Sequence, residues 1–416
     1  MDISIERISS DLENVVRFNQ TPGNGCTRFS YSKEDRQARD YIMELMSGLG
    51  MSINVDGVGN IRARFGMESE SPAIMIGSHI DTVENGGKYD GLIGVLAALE
   101  TIRVLKEEKA VLDHPIELII FAEEEGSNFG VTMLGSKVLT GKLTIDELKS
   151  LKNKNGISAY EVCKNFNLNI EGIEKDVIKK GEVLSMIELH IEQGAVLETE
   201  KKSIGIVQAI TGMKTFKVTL EGDSNHAGTT PMNLRADPMA GAAKVIASIQ
   251  HAARNLALPT TTATVGRLFC TPNMANVIPK KVEFYIDIRD VEPEGIKRVV
   301  DYITERLCEV SKEDCLKSRI ELIGKSSSVK LSSSVISLME QAAAESGAPY
   351  MKINSGAVHD SAMMADVTDV GMIFIPSIGG KSHCPEEYSR VEDIKAGCSL
   401  LLKTVKSLAV RKSIEI

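Results

Sequence analysis

Three of the chain's seven histidines stand among residues that suit a metal ion. His79 lies in Ile76-Gly77-Ser78-His79-Ile80-Asp81-Thr82, His190 follows the apolar run from Val183 to Leu189, and His383 lies in Gly379-Gly380-Lys381-Ser382-His383-Cys384-Pro385. Between the first two come Asp90, in Lys88-Tyr89-Asp90-Gly91, and the acidic triplet Glu123-Glu124-Glu125. Divalent ions of the zinc type accept imidazole and carboxylate together. Two such ions bridged by a carboxylate, about 3.5–4 Å apart, can hold a hydroxide between them. Asp90 is the best bridge, because it opens a helix whose first amides support its charge. Asp81 can take the other ring N–H of His79 and fix its tautomer. One acid of the triplet can be a ligand and its neighbour a general base; the residues leave open which is which. Each group alone has a plainer reading. Asp-Gly is a common turn, an acidic triplet a common solvated face, His190 a satisfied core histidine, and His383 and Cys384 loop residues. It is their joint presence that points to a two-metal hydrolytic centre.

The elements that must carry these groups follow from periodicity. The first 60 residues read as helices, with Lys33 to Leu49 ending at Gly50. Ile61 to Phe65, Ala73 to Ile76, Ile116 to Ala122 and Val183 to Leu189 read as strands, the last three buried and each followed by a site residue. Gly91 to Leu105 reads as an apolar helix, and 141–180 as charged and helical. Strand, site, helix, strand, site is the rhythm of an α/β sheet, in which ligands gather beyond the carboxyl ends of strands. From residue 211 the texture changes. Thr215 to Leu220, Thr261 to Phe269, Lys281 to Arg289 and Arg319 to Ile323 alternate, with helices over Asp237 to Leu256 and Gly295 to Val310. That β-α-β-β-α-β order predicts a ferredoxin-like α+β domain over 211–328. It is inserted in an α/β domain made of 1–210 and 329–416. After the insertion come a helix over 332–345, a strand from Gly371 to Pro376, the His383 loop and a helix over 391–409.

Composition narrows the function. The net charge of −9, with no basic stripe, argues against a nucleic-acid partner. The absence of Trp and 4% aromatic content argue against a carbohydrate-stacking surface. No apolar stretch approaches the roughly 18 residues of a membrane span. The start of the chain lacks the basic-then-apolar plan of a signal peptide, and seven scattered cysteines without a C-x-x-C pair fit reduced thiols in a cytoplasmic protein.

Five strings resemble one family: Gly77-Ser78-His79-Ile80-Asp81-Thr82-Val83-Glu84-Asn85-Gly86-Gly87-Lys88-Tyr89-Asp90-Gly91, Ala122-Glu123-Glu124-Glu125-Gly126-Ser127, Glu188-Leu189-His190-Ile191-Glu192-Gln193-Gly194, His226-Ala227-Gly228-Thr229-Thr230-Pro231-Met232 and Pro376-Ser377-Ile378-Gly379-Gly380-Lys381-Ser382-His383. It is the amidase/hydantoinase/carbamoylase branch of the co-catalytic metallopeptidases. The branch holds N-carbamoyl-L-amino-acid hydrolases, allantoate amidohydrolases, ureidoglycolate amidohydrolases and some β-ureidopropionases. The resemblance runs in order over nearly the whole chain. It implies a mixed-sheet catalytic domain of the zinc-peptidase type with an inserted dimerisation domain, and a homodimer as the working unit. It implies two divalent ions (zinc, manganese or cobalt), one held by His79, Asp90 and His190, the other by Asp90, Glu125 and His383. Glu124 would be the general base, and a cis peptide would join Asp90 to Gly91. His226 would reach the partner subunit's site and stabilise an oxyanion. Asn276 and Arg289 would grip a substrate carboxylate, with Gln193 and His359 as further pocket contacts. Without the resemblance Arg289 reads as a surface ion-pair residue and His226 as a turn histidine; His114 and His251 read as structural. The chain departs from the family at Asn128, where relatives carry Arg, and at Val358, where they carry Gly.

The expected reaction is metal-assisted hydrolysis of the ureido C–N bond of a small molecule that also bears a carboxylate, an N-carbamoyl-L-amino acid or allantoate. The rival readings are a dipeptidase or N-acyl-amino-acid deacylase on the same metals, and a non-catalytic binding protein on a decayed enzyme fold.

Overall fold

The computed structural model describes residues 2–66 and 71–410, which fall into two compact units. The first is made of 2–66, 71–208, 331–355 and 359–410, and the second of 209–330 with 356–358.

The first unit is built on a mixed sheet. Its strands run in the order Ser52–Val55, Ile61–Phe65, Ile116–Phe121, Ala73–His79, Val183–Ile191, Asp369–Ile375 and Ile204–Ile210, with Tyr350–Ser355 also on the last of these. The four middle strands are mutually parallel, and the flanking pairings are antiparallel. Residues 73–79 and 116–121 are buried throughout. That is why they read as largely apolar runs, broken only by Ser78 and His79 at the end of one and by Glu117 in the other: a parallel strand covered on both faces has no solvent side to alternate with. The helix Leu92–Glu107 is buried over nearly its whole length. It packs so closely that a Cβ on Gly94 would lie 2.2 Å from the Leu189 carbonyl oxygen. Glycine at that position therefore lets the helix approach the strand that carries His190.

The start of the chain differs from the all-helical expectation. Ile5–Val16 and Lys33–Gly48 are helices, the second capped by the Ser32 hydroxyl accepting from the Asp35 amide. Ser52–Val55 is a strand, zipped to Ile61–Phe65 by a short turn. Residues 141–180 carry only short helical pieces: Ile145–Ser150 and Ala159–Asn165, both closed by capping boxes, and the 3-10 turn Ile170–Lys175.

The second unit holds the elements Gly212–Glu221, Pro238–Asn255, Thr262–Thr271, Lys281–Asp290, Pro293–Glu313 and Lys317–Ser326, in the order β-α-β-β-α-β. Its four strands form one antiparallel sheet with the first and third in the middle. Strict alternation in Lys281–Asp290 turns Val282, Phe284, Ile286 and Ile288 towards the two helices. Tyr285, Asp287 and Arg289 point to the other face. Asp237 starts the first helix by accepting from the amides of Met239 and Ala240, with Pro238 at the first position, where its missing N–H costs nothing. No helix of the described residues is long and apolar enough to cross a membrane.

Candidate metal centre

Four parallel strands end on one side of the sheet, and the chemistry collects there. His79 is the last residue of Ala73–His79. Glu123 to Glu125 follow Ile116–Phe121, His190 is the penultimate residue of Val183–Ile191, and His383 lies in the loop after Asp369–Ile375. Asp90 arrives at the mouth of the helix Leu92–Glu107, whose N-cap is Gly91 at φ +62°. The cis bond expected between Asp90 and Gly91 is not found; the one cis peptide among the described residues is Thr271–Pro272. The turn is made instead by Gly91, at a positive φ that side chains rarely adopt.

The five expected ligands come together in two sets that share Asp90. His79, Asp90 and His190 form one set, and Asp90, Glu125 and His383 the other. His190 Nε2 is 3.1 Å from Asp90 Oδ1 and 3.5 Å from His79 Nε2. His383 Nε2 is 3.0 Å from Asp90 Oδ2 and 3.5 Å from Glu125 Oε1. Each buried ring is oriented from behind: His79 Nδ1 lies 3.0 Å from the Asp81 carbonyl and His190 Nδ1 2.9 Å from that of Ile191. With Nδ1–H donating there, the Nε2 atoms of both rings are left on the Asp90 side, where a metal would take them.

The residues present fit two cations. Glu125 Oε1 is buried without a hydrogen-bond partner, which is costly unless something positive meets it. The Gln193 side-chain amide nitrogen sits 3.0 and 3.2 Å from the Asp90 oxygens and 3.1 Å from His383 Nε2. Its weakly positive N–H groups stand where a cation would satisfy the same acceptors. Electrostatics agree. Burial and the charge of neighbouring carboxylates push Glu124 and Glu125 well above the ordinary range. Burial alone would raise Asp90 as well, but the imidazoles of His190 and His383 outweigh it and hold its carboxyl well below that range. Such crowding of acids is relieved by bound metal, whose own charge inverts the local balance.

Glu124, the expected base, is buried with Oε2 3.8 Å from His79 Nε2. Asp81 takes a different part from the one its spacing suggests. Its backbone carbonyl, not its carboxylate, is in hydrogen-bond reach of the His79 ring, the nearer carboxylate oxygen being 3.8 Å away. The carboxylate accepts from the amides of Glu124 and Glu125 at 3.2 and 3.1 Å. Thus Asp81 orients the acidic pair as well as the imidazole. His359 is buried, with its ring edge-on to His190 at 4.5 Å between centroids and its Nε2 3.0 Å from the Ser355 hydroxyl.

His226, Asn276 and Arg289 belong to the second unit. His226 and Asn276 are exposed neighbours, the Asn276 carbonyl accepting from the Ala227 amide. His226 Nδ1 accepts from the amides of Gly228 and Thr229 at 3.0 and 3.2 Å, which leaves Nε2 as the nitrogen that can donate. Arg289 lines an open hollow of about 510 Å³ on the outer sheet face with Thr215, Thr262, Thr264, Arg267 and Asp287. It donates to Asp287 at 2.7 Å and to the Gly356 carbonyl at 3.0 Å.

Sequence reasoning missed two buried carboxylates. Glu188, two residues before His190 on the same strand, accepts from the hydroxyls of Ser78 and Ser361, which adjoin His79 and Asp360. Glu387 accepts from the backbone amides of Tyr89 and Asp90. The departure at Asn128 also has a local role: its backbone and side chain donate to both oxygens of Glu123. Val358 lies outside the positive-φ region, so a branched side chain is accommodated there.

Residues 75–407 match the sequence model of peptidase family M20/M25/M40. N-carbamoyl-L-amino-acid amidohydrolase of Pseudomonas sp. (strain NS671) is 38% identical over 406 residues, 97% of this chain and 98% of its own. Allantoate amidohydrolase of Escherichia coli (strain K12) is 32% identical over 408 residues, 98% of each chain. Among solved structures, the hydantoinase/carbamoylase-family amidase from Burkholderia multivorans is similar with a TM-score of 0.90, at 30% identity and covering 98% of both chains.

Proposed function

Because the chain belongs to peptidase family M20/M25/M40, and is a hydrolase of C–N bonds, we propose that it hydrolyses the ureido bond of an N-carbamoyl-L-amino acid or of allantoate. The observation that carries this reading is the sharing of Asp90 by two ligand sets with Glu124 beside them. His79, Asp90 and His190 would hold one divalent ion, and Asp90, Glu125 and His383 the other; zinc, manganese and cobalt all suit these donors. Bound there, the pair lowers the pKa of water and polarises the carbamoyl oxygen.

The chain's own groups do the rest. Glu124 takes the proton of the attacking water and returns it to the departing nitrogen, a task suited to a buried carboxylate with a raised pKa. Water adds across the bond, ammonia leaves, and the carbamic acid that remains loses carbon dioxide. The Nε2–H of His226 donates to the oxyanion as the carbonyl becomes tetrahedral. The guanidinium of Arg289, a planar fork, holds the substrate carboxylate together with the Asn276 amide. Gln193, already at Asp90 and His383, turns its amide to the substrate, and His359 backs the His190 ring.

The inserted unit, 211–328 in this reading, pairs two subunits, and each site is completed by His226 and Asn276 of the partner subunit. Strand register supports this. Asn276 lies beyond the Lys281 end of the sheet and Arg289 near the other end. Eight residues of strand separate them by roughly 27 Å, too far for one small substrate to meet both from a single subunit. Seven unpaired cysteines support a cytoplasmic setting.

The test is ammonia release from metal-reconstituted protein offered N-carbamoyl-L-amino acids and allantoate, beside hydrolysis of N-acetyl amino acids and dipeptides. The ureido compounds are expected to lead by at least about a hundredfold in kcat/KM, the discrimination a site built around specific polar contacts can reach. A faster dipeptide or acetyl substrate would make the chain a peptidase or deacylase instead.

A further inference from the structure

The loop that carries His383 is poorly suited to hold itself. Gly379, Gly380 and His383 all have positive φ, at +67°, +65° and +55°, and the last is no glycine. A side chain at such a φ is retained only where its surroundings over-determine it. The loop is closed at its base by the Ile378 amide donating to the Tyr388 carbonyl and the Ser389 hydroxyl to that of Pro376, both at 2.8 Å. Beyond that base the tip, where His383 stands with its side chain 47% exposed, is held by the ring's own contacts with Asp90 and Gln193, by the Gly379 amide donating to Glu198 and by short bonds within the loop.

Glu387 adds a buried tie between this loop and the backbone at Asp90. The residue is only 4% exposed. One carboxylate oxygen accepts from the amides of Tyr89 and Asp90 at 2.9 and 3.1 Å, and the other from the Ser382 hydroxyl at 2.9 Å. One side chain therefore grips the backbone of the shared ligand Asp90 and the residue next to His383, although these ligands are far apart in sequence. Gly87 makes the approach possible: a Cβ there would fall 2.0 Å from the carboxylate.

We infer that Glu387 is a positioning residue which locks the His383 loop onto Asp90 and so sets the affinity of the ion held by Asp90, Glu125 and His383. The inference rests on the two-metal reading above. Glu387 touches neither substrate nor ion; it acts through the amide of one ligand and the neighbour of another. Its hydrogen bonds, rather than its charge, do this, since a glutamine could accept from the two amides and donate to the Ser382 oxygen.

The experiment is calorimetric titration of the metal-free, full-length protein with zinc, then with manganese. Wild type is expected to take up two ions per chain. Glu387→Ala is expected to keep one and to weaken the other by about 10–100-fold, the usual cost of losing a partner that orients a ligand. Glu387→Gln is expected to stay within about threefold of wild type, because it keeps the same bonds. His383→Ala identifies the affected ion: adding Glu387→Ala to it should weaken binding no further, whereas adding it to His190→Ala should, as groups acting on one site are non-additive. Should Glu387→Ala not fold, Ser382→Ala, which removes only the tie to the loop, is expected to weaken the same ion by about three- to tenfold. Two ions bound by the Glu387 or Ser382 variants as tightly as by wild type would overturn the inference. A wild-type protein that takes up fewer than two ions would overturn the two-metal reading itself, a result the wild-type titration alone reveals.

Discussion

The Nε2 atoms of His79 and His190 face each other at 3.5 Å, each ring pinned from behind by a backbone carbonyl. Two imidazoles so placed cannot both be protonated. Burial drives His79 down to about 4. Burial presses on His190 too, but the hydrogen bond and charge of Asp90 outweigh it and raise this ring to about 9. At neutral pH the metal-free site therefore holds its proton on His190, and a metal ion must displace it. Uptake of the first ion near pH 7 is expected to release at least about one proton, with affinity falling about tenfold per pH unit as pH drops below about 9. Titrations in buffers of different ionisation enthalpy measure this; an affinity flat between pH 6 and 9 would contradict it. Removing both ions with a chelator should abolish turnover and lower the melting temperature, since an ion at a thousand times its Kd stabilises by about 4 kcal/mol.

Gly91 is expected to tolerate no side chain. A Cβ there would lie 2.5 Å from three atoms of the His79 ring, on a backbone at φ +62°. The ring cannot move aside without losing the position of Nε2. Gly91→Ala is predicted to destabilise the fold by about 2–3 kcal/mol through backbone strain and overpacking. It should also cost the ion at His79, read by thermal unfolding and by metal analysis of the purified variant. Wild-type metal content would show that the turn has slack.

Glu124→Gln keeps the shape of the side chain and removes its capacity to carry a proton. The expected loss in kcat is about 10²–10⁴-fold, the span of general acid–base catalysis. KM and the number of bound ions should be little changed. A variant that loses metal as well would make Glu124 a ligand rather than a base.

Subunit exchange tests the shared site. His226→Ala and Glu124→Ala chains, each nearly inactive, would form mixed dimers in which one of the two sites is whole. A statistical mixture is expected to recover about one quarter of wild-type activity if a two-fold axis brings His226 to the partner. No recovery after verified exchange would confine each site to one chain.

Much of this architecture can be read from apolar patterning, and what cannot has a physical cause. Ile116 to Ala122 announces a strand because Glu117 is its only polar residue, and the acidic triplet directly behind announces a site. Ser52–Val55 is mostly exposed, so no alternation marks it, and the strands at 204–210 and 350–355 were likewise not anticipated. The candidate ligands, which the fold does bring together, could be picked out because imidazole and carboxylate carry their chemistry in their identity. Glu387 could not, since a carboxylate that serves backbone amides hundreds of residues away leaves no spacing to recognise. Asp81 shows the same limit: the sequence names the residue near His79, but only the fold decides whether its carbonyl or its carboxylate does the work.

The candidate ligands come from separate segments of the chain, and His383 follows His190 by 193 positions (383 − 190). A ribosome adding about 5–20 residues per second takes roughly 10–40 s to cross that interval. Through that time the nascent chain exposes His79, Asp90, Glu125 and His190 with the last donor still unmade. Loading of a second ion at Asp90, Glu125 and His383 therefore waits at least that long after the other donors have been made. Cellular metal supply at that moment, as much as intrinsic affinity, decides which ion the enzyme carries.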